Sequence, residues 1–440
     1  MHPAWLIQKK RDGKELTADE IRDFIRGITR GDVADYQATA FLMATYLRGM
    51  TANETVALTE AMLHSGEVYD LSNIPGIKVD KHSTGGVGDK VSIILAPLAA
   101  ACGVTVPMMA GRGLGHSGGT IDKLEAIPGF QTELSRERFD QQLLSTGCAI
   151  IGQSGRIAPA DKKLYALRDV TATIECIPLI VASILSKKIA AGVQGLVMDV
   201  KCGNGAFMKT PKQAMVLAQT IVKVGRKMGL KARALVTNMN QPLGYSAGNS
   251  IEIHESIQIL KNETLDDLGS GDLKELTVLL CAHMLELAGR VKTLAEGRKL
   301  AHKKLADGSA WAKFQEMVKA QGGSLDSILS PALGLPLAPK SIVYTAKKRG
   351  YVTEMDTQAL GRLLVDLGGG RRQVTDSVDF GASLIFHNKL GARVAAGDPL
   401  VTVHGATEKV GSIPLAARLD DAITVSGTRK PVPKLVFGQY

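Results

Sequence analysis

Two glycine-rich loops, each preceded by a strand-like run and followed by a helix-like one, limit what this chain can fold into more than any other feature. The first is Val79-Asp80-Lys81-His82-Ser83-Thr84-Gly85-Gly86-Val87-Gly88-Asp89-Lys90, after a predicted strand at 77–80 and before a predicted helix at 91–101. The second spans 110–123, after a predicted strand at 105–109, and runs into a helix whose N-cap is read as Thr120. Strand–loop–helix units in series predict an α/β domain with parallel strands. If both strands belong to one sheet, their C-terminal ends share an edge and both loops border one crevice. Glycine lets the backbone approach a bound group, and a helix N-terminus offers free N–H groups and positive potential, so the pair reads as a cradle for one anion. Lys81 adds full charge, and Ser83 and Thr84 add hydroxyl donors. The first loop is neither a GxxxxGK[ST] phosphate loop nor a GxGxxG dinucleotide loop.

Helical patterns surround this α/β signal. Residues 1–65 read as helices, with capping boxes at Thr17–Glu20 and Thr51–Glu54, and with Ile21, Phe24, Ile25 and Ile28 on one face. A further helix is expected at 35–47. Strand character recurs at 149–151, 196–200 and 232–237; helical patterns recur at 161–190, 249–259 and 273–306. Three prolines mark 330–340 as a linker, and 341–440 reads as β-rich with one or two helices. The fold class expected is α/β: a split helical domain (1–65 with 161–193), a larger α/β domain with a mixed, mainly parallel sheet (76–155 with 194–330), and a C-terminal β-rich α+β part (341–440). The connections near 66–76, 152–160 and 190–195 are the expected hinges.

Composition narrows the partners. A length of 440 residues, 45% of them hydrophobic, suits about three domains at ~150 residues each. The net charge of +10 suits nucleic acid or small anions, but the charges are scattered and aromatics are only 4%, which argues against nucleic acid. Five dispersed cysteines without a CxxC argue against structural zinc and a disulfide framework, and point to a reduced, cytoplasmic setting. Residues 1–5 lack a signal-peptide core. Residues 91–111 carry no charge, but Pro97, Gly103 and Pro107 interrupt them, so a buried helix and strand are expected rather than a membrane span.

A third segment, 159–173, leads into 177–188. Ser183 and Lys187 stand at i and i+4 and share a helix face, with Arg168 shortly before. Together they suit a polar planar ligand; by composition alone, solvated surface lysines are the better reading.

With these residues in hand, KHSTGGVGD (81–89), GRGLGHSGGTIDKLE (111–125), PADKKLYALRDVTAT (159–173) and SILSKKIAAG (183–192) closely resemble the thymidine and pyrimidine-nucleoside phosphorylases. The likeness runs from KKRDG (9–13) through GGGRR (368–372) into the tail. It implies a glycosyltransferase that cleaves thymidine with inorganic phosphate to thymine and 2-deoxy-α-D-ribose 1-phosphate, in nucleoside salvage. A broad-specificity enzyme that also uses uridine is the alternative; an anthranilate-type phosphoribosyltransferase is a more distant one. The resemblance implies a homodimer formed through the helical domains, with no nucleic acid, membrane or cofactor involved.

By the same resemblance, Lys81, Ser83, Ser92 and Thr120 would hold phosphate, and His82, Arg168, Ser183 and Lys187 the base. His82, Arg168 and Lys187 would be catalytic. His82 would hydrogen-bond or protonate a base carbonyl oxygen, or only position the base; the sequence does not choose. Three departures matter. Ala110 stands where the family often has a serine. Met108 looks thymidine-type, since several broad-specificity members carry lysine there. Lys90 stands where some potassium-binding members have threonine, although Gly88, Leu243, Ser246 and Glu255 are compatible with that metal site; no metal is assigned. The tail's Gly397-Asp398-Pro399-Leu400 turn resembles biotin or lipoyl carriers, but the hairpin at 353–357 lacks the lysine a carrier modifies, so the tail is taken as structural.

Overall fold

The structure is a computed structural model, and it describes residues 2–113, 115–263, 270–373 and 375–440; Leu114 of the second glycine loop lies outside them. Four helices open the chain: α1 (Pro3–Arg11), α2 (Ala18–Arg30), α3 (Asp35–Arg48) and α4 (Ala52–Leu63). Both expected capping boxes form. Thr17 and Thr51 accept from the amides of Glu20 and Glu54, whose carboxylates accept from the threonine amides in return. That satisfies donors a helix start otherwise leaves unpaired.

The α/β part begins with β1 (Val79–Ser83), α5 (Val91–Ala101), β2 (Val106–Met109), α6 (Thr120–Glu125), α7 (Arg136–Thr146) and β3 (Cys148–Ile151). The chain then returns to the helical part with α8 (Pro159–Val170) and α9 (Ile177–Ala190). Leu164 and Leu179 there share one apolar core with Phe24, Phe41 and Leu58. The uncharged 91–111 stretch is indeed a buried helix and strand, and among the described residues no helix is long and apolar enough to cross a membrane.

A second α/β run follows: β4 (Gly195–Cys202), α10 (Pro211–Lys227), β5 (Lys231–Asn238), β6 (Ser246–Gly248), α11 (Asn249–Leu260), α12 (Gly271–Leu287), α13 (Leu294–Ala306), α14 (Ser309–Ala320), α15 (Leu325–Leu329) and α16 (Pro331–Gly334). The helical pattern at 273–306 is two helices rather than one, because Thr293 caps a fresh start by accepting from the Glu296 amide. The C-terminal part holds β7 (Lys340–Thr345), β8 (Gly350–Met355), α17 (Thr357–Asp366), β9 (Ser383–Phe386), β10 (Arg393–Val394), β11 (Pro399–Gly405), α18 (Thr407–Ser412), α19 (Leu415–Ala422), β12 (Ile423–Ser426) and β13 (Val436–Gln439). It carries three helices among the described residues, one more than expected.

The central sheet has the order β1-β4-β5-β13, parallel through the first three strands, with β13 antiparallel at the edge. It is therefore mixed and mainly parallel. The β2–β3 pair is a separate parallel ladder, joined to this sheet by a single bridge between Lys78 and Thr105. The two glycine loops thus follow strands of two adjoining ladders, not of one continuous sheet. Two strands cross the boundary drawn at 341. β13 closes the central sheet, and β6 enters the C-terminal sheet β6-β9-β11-β7.

Strand alternation sorts the sheet into two faces. Val79 and Val197 face a core shared with α5, α11, α12 and α14. Leu196, Met198 and Val200 face the core that holds residues of α9 and α10. The three expected hinge segments run side by side: the Glu67 amide donates to the Arg156 carbonyl at 2.9 Å and the Tyr69 amide to the Ala190 carbonyl at 2.7 Å.

Candidate active site

β1 is longer at its C-terminal end than the sequence suggested, covering 79–83 rather than 77–80, so Lys81, His82 and Ser83 sit on the strand and not in a turn. Period-two geometry then sends Lys81 and Ser83 to the α5 face, and Asp80 and His82 to the α9 face. One strand supplies two half-sites.

On the first face the Lys81 ammonium is buried. It donates a long 3.4 Å hydrogen bond to Ser92 Oγ at the start of α5, and lies 3.8 Å from both Asp89 and Asp199 carboxylates. Burial pulls Lys81 below the usual lysine range, against the pull of Asp89 and Asp199. Lys201, one strand over on β4, pairs with Asp199 at 2.7 Å and stands 3.9 Å from Asp89. Burial alone would raise Asp89, but Lys201, Lys81 and a hydrogen bond from Ser83 hold it far below the ordinary carboxylate range. Lys123 of α6 donates to the Asp89 carbonyl at 2.8 Å and pairs with Glu252 at 2.6 Å, tying the second loop's helix to the end of the first loop.

The expected phosphate residues divide. Lys81 and Ser92 meet. Ser83 Oγ lies 2.5 Å from Asp89, and a carboxylate so acidic only accepts, so the Ser83 proton is committed there. Thr120 is the first residue inside α6, with Gly119 as the N-cap, so it is half-buried but does not cap the helix. Ser117 of the second loop approaches Gly85 of the first, so the two loops adjoin. The side chain of Asp122 accepts from the Gly113 amide at 2.7 Å and from Arg371, beyond the proline linker, at 2.6 Å.

On the other face, Ser183 and Lys187 of α9 are joined by a 2.8 Å hydrogen bond, and Lys187 pairs with Asp161 of α8. The Lys187 side chain is only 12% exposed, so it is no solvated surface lysine. Arg168 is buried and donates to three backbone carbonyls: Thr173 at 3.3 Å, Leu179 at 3.2 Å and Ile174 at 2.6 Å. It thereby pins the turn between α8 and α9 and, of five N–H donors, keeps two for another acceptor. Lys188 bonds Asp80 of β1 and the Met109 carbonyl at 2.7 Å, so one ammonium clamps α9 to both ladders. His82 is half-buried. Desolvation and the ammoniums of Lys188, Lys187 and Lys81 push its imidazole well below the ordinary histidine value, so it is neutral near pH 7.

Sequence reasoning missed Asp89, Asp199, Lys201, Lys123 and Lys188. A signal existed for the β4 pair: Asp199 and Lys201 interrupt a strand whose other residues are apolar or glycine, and a charge in a buried strand needs a partner. Met108 is 1% exposed within the α5-side core, so it packs as an apolar core residue.

Lys90 holds a place of its own. Its buried ammonium donates to the carbonyls of Leu243 (3.0 Å) and Ser246 (2.8 Å), to Ser246 Oγ (3.4 Å) and to Glu255 (2.6 Å). The residues compatible with potassium therefore surround an ammonium, and the chain does not fit that metal.

Comparison with known proteins shows the family of the chain. Residues 5–66 match the glycosyl transferase family, helical bundle domain; residues 76–311 match the glycosyl transferase family, a/b domain; residues 351–426 match the pyrimidine nucleoside phosphorylase C-terminal domain. The chain is 46% identical over 432 residues to a pyrimidine-nucleoside phosphorylase of Geobacillus stearothermophilus, covering 98% of each. It is 47% identical over 420 residues to the pyrimidine-nucleoside phosphorylase of Staphylococcus haemolyticus, covering 96% of this chain and 95% of the relative. Among solved structures, anthranilate phosphoribosyltransferase from Thermus thermophilus aligns with a TM-score of 0.56 at 22% identity, over 72% of this chain and 99% of that one; this likeness is one of fold.

Proposed function

The chain belongs to the pyrimidine-nucleoside phosphorylase family of pentosyltransferases, and on that footing we propose that it cleaves thymidine with inorganic phosphate, giving thymine and 2-deoxy-α-D-ribose 1-phosphate. The observation that carries the reading is Lys81, a buried ammonium whose nearest partners stand at 3.4–3.8 Å, which leaves donor capacity for an anion. Ser92, with its proton free, and Thr120 complete the phosphate cradle; Ser83 joins it when its proton leaves Asp89.

A phosphate oxygen attacks C1′ as the C1′–N1 bond breaks, and the electron pair leaves with the base. Catalysis then rests on aligning the attacking oxygen and stabilising the departing base anion. Lys187 and the two spare donors of Arg168 supply positive charge, and Ser183 contacts the base edge. His82, neutral, donates a hydrogen bond to a base carbonyl oxygen rather than a full proton. The phosphate residues lie on β1, α5 and the start of α6 and most of the base residues on α8 and α9; a closure about the three adjacent connections that pivots on the Lys188–Asp80 pair brings sugar and phosphate into line and excludes water.

The test is thymine release from thymidine in phosphate and in a phosphate-free buffer. Equal rates would mean hydrolysis and defeat the proposal. By the family resemblance, methionine rather than lysine at position 108 marks a preference for 2′-deoxynucleosides: Met108, packed in the core, offers a 2′-hydroxyl no partner, and an unpaired hydroxyl costs ~1–3 kcal/mol, so deoxyuridine should exceed uridine ~10–100-fold in kcat/KM. Comparable values for the two would favour the broad-specificity reading.

The partner expected is a second copy of the chain. Trp5, Tyr36, Leu47 and Val170 of the helical part are 71%, 77%, 71% and 80% exposed, large apolar side chains that self-association would cover. Sedimentation of wild type against Tyr36→Asp/Leu47→Asp tests this, with a dimer and a monomer as the expected outcomes. Five buried free cysteines suit residence in the cytoplasm.

A further inference from the structure

We infer that the Lys90 ammonium is a tethered stand-in for the monovalent cation that the family resemblance implies at this place, so that the enzyme works and holds its fold without potassium. The inference rests on geometry at Lys90, Gly88, Gly244 and Glu255; only its activity readout depends on the proposed phosphorolysis.

The ammonium lies 2.6–3.4 Å from four oxygens: two backbone carbonyls, one hydroxyl and one carboxylate. Carbonyls converging on one point are the environment of a desolvated monovalent cation, and an ammonium is close in size to a potassium ion. Glu255 is fully occupied besides. Its Oε1 accepts from the Tyr245 amide at 2.9 Å and from Ser270 at 2.7 Å; its Oε2 accepts from the Ser246 amide at 3.1 Å and from Ser246 Oγ at 2.5 Å. The carboxylate, fixed by four donors, cannot swing out to solvent, so a buried positive charge must stand where Lys90 Nζ stands.

The walls leave no room for a second ion. Gly88 has φ +74°, and a Cβ there would lie 2.6 Å from the Leu243 carbonyl and 2.9 Å from the Ser246 carbonyl. Gly244 has φ +72°, and a Cβ there would lie 2.1 Å from Glu255 Oε1 and 2.9 Å from Lys90 Nζ. Both positions need glycine for conformation and for space. Lys90 directly follows Asp89, which anchors Lys81 and Ser83, so the tether fixes the end of the anion loop against the 243–246 segment. A bound ion would do this only while bound; a side chain does it in every molecule.

The test compares salts at equal ionic strength. For the wild type, thermal midpoint without substrate and phosphorolysis rate should be the same in potassium chloride and in choline chloride, whose cation is too large for the cage. A saturable rise of either with potassium would overturn the inference. Lys90→Thr removes the ammonium and opens its space. In choline chloride its midpoint should fall by roughly 5–10 °C, as expected for breaking a buried pair. Potassium or ammonium chloride should restore roughly 3–5 °C of that loss saturably. Lys90→Gln should lose stability without rescue, since its amide fills the cage. A folded Lys90→Thr equally stable in both salts would overturn the inference, and the wild-type comparison decides the matter should neither variant fold. The midpoints are read without nucleoside or phosphate, so failure of the phosphorolysis proposal leaves this test standing.

Discussion

The two faces of β1 solve opposite problems. On the α5 face, Lys81, Lys201, Asp89 and Asp199 form a buried group of alternating charges, mostly held at 3.8–3.9 Å with one close pair at 2.7 Å. On the α9 face, Arg168 spends three of its five N–H donors on backbone carbonyls and Lys187 is in contact with both Ser183 and Asp161. On the proposed reading, the first offers the loosely coordinated ammonium of Lys81 to an anion of high charge. On the same reading, the second is a rigid frame whose few spare donors meet a neutral planar ring, with charge developing only as the bond breaks. The difference follows from desolvation: a doubly charged ligand repays a buried ammonium that lacks close partners, while a neutral ligand does not.

The largest expected effect breaks the first face. Lys81→Ala removes the ammonium and leaves Asp89 and Asp199 facing one cation, so kcat/KM for phosphate should fall ~10³-fold or more while the nucleoside KM stays near wild type. Steady-state kinetics with each substrate varied decides it; a loss confined to nucleoside terms would reverse the assignment of the faces.

Next comes the second face. Arg168→Ala frees three carbonyls as well as the guanidinium, and Lys187→Ala frees Asp161. Each should cost ~10²-fold in kcat/KM for nucleoside. Arg168→Ala should also lower the thermal midpoint more than Lys187→Ala does, because only Arg168 ties a turn together. Equal midpoints would show that the turn stands without it.

The smallest effect sharpens the role of His82. His82→Gln keeps a donor and an acceptor, so it should cost ~10-fold or less. The pH–rate profile should keep its shape, because a neutral imidazole has no proton to lose near pH 6.5. An inflection present only in the wild type would show that His82 acts as an acid. Stability carries the opposite signature. The folded imidazole sits well below its ordinary value of 6.5, so below that pH the unfolded chain binds more protons. Stability should therefore fall as pH drops from 6.5 towards the folded value, and His82→Gln should lessen that fall in thermal midpoints.

Much of this was legible in order along the chain. The capping boxes at Thr17 and Thr51, the helix at 91–101 and the Ser183–Lys187 face were all read from local spacing, since each depends on residues within about one turn. β1 was read two residues early because Lys81 and Ser83 looked like turn residues by composition, and only their buried partners, Asp89 in the loop, Ser92 on α5 and Asp199 on β4, make a polar strand end tolerable. The break between α12 and α13 went unread because both halves share one apolar rhythm, and the Thr293 cap is a weak local signal beside it.

What the sequence by itself determined is the set of groups and their local frames: two glycine loops, the lysines beside them, the capped helices, and a hydroxyl and an ammonium on one turn of α9. Tertiary structure alone decided which charges meet. Asp199 reaches Lys81 across the parallel register of β1 and β4, and Lys201 pairs with Asp199; Lys188 reaches Asp80 from α9; Glu255 reaches Lys90 across 165 residues. The physical reason is range. Caps, turns and helix faces are set by neighbours a few bonds away, whereas the state of a buried charge depends on the partners that folding brings to it and on the water that folding removes.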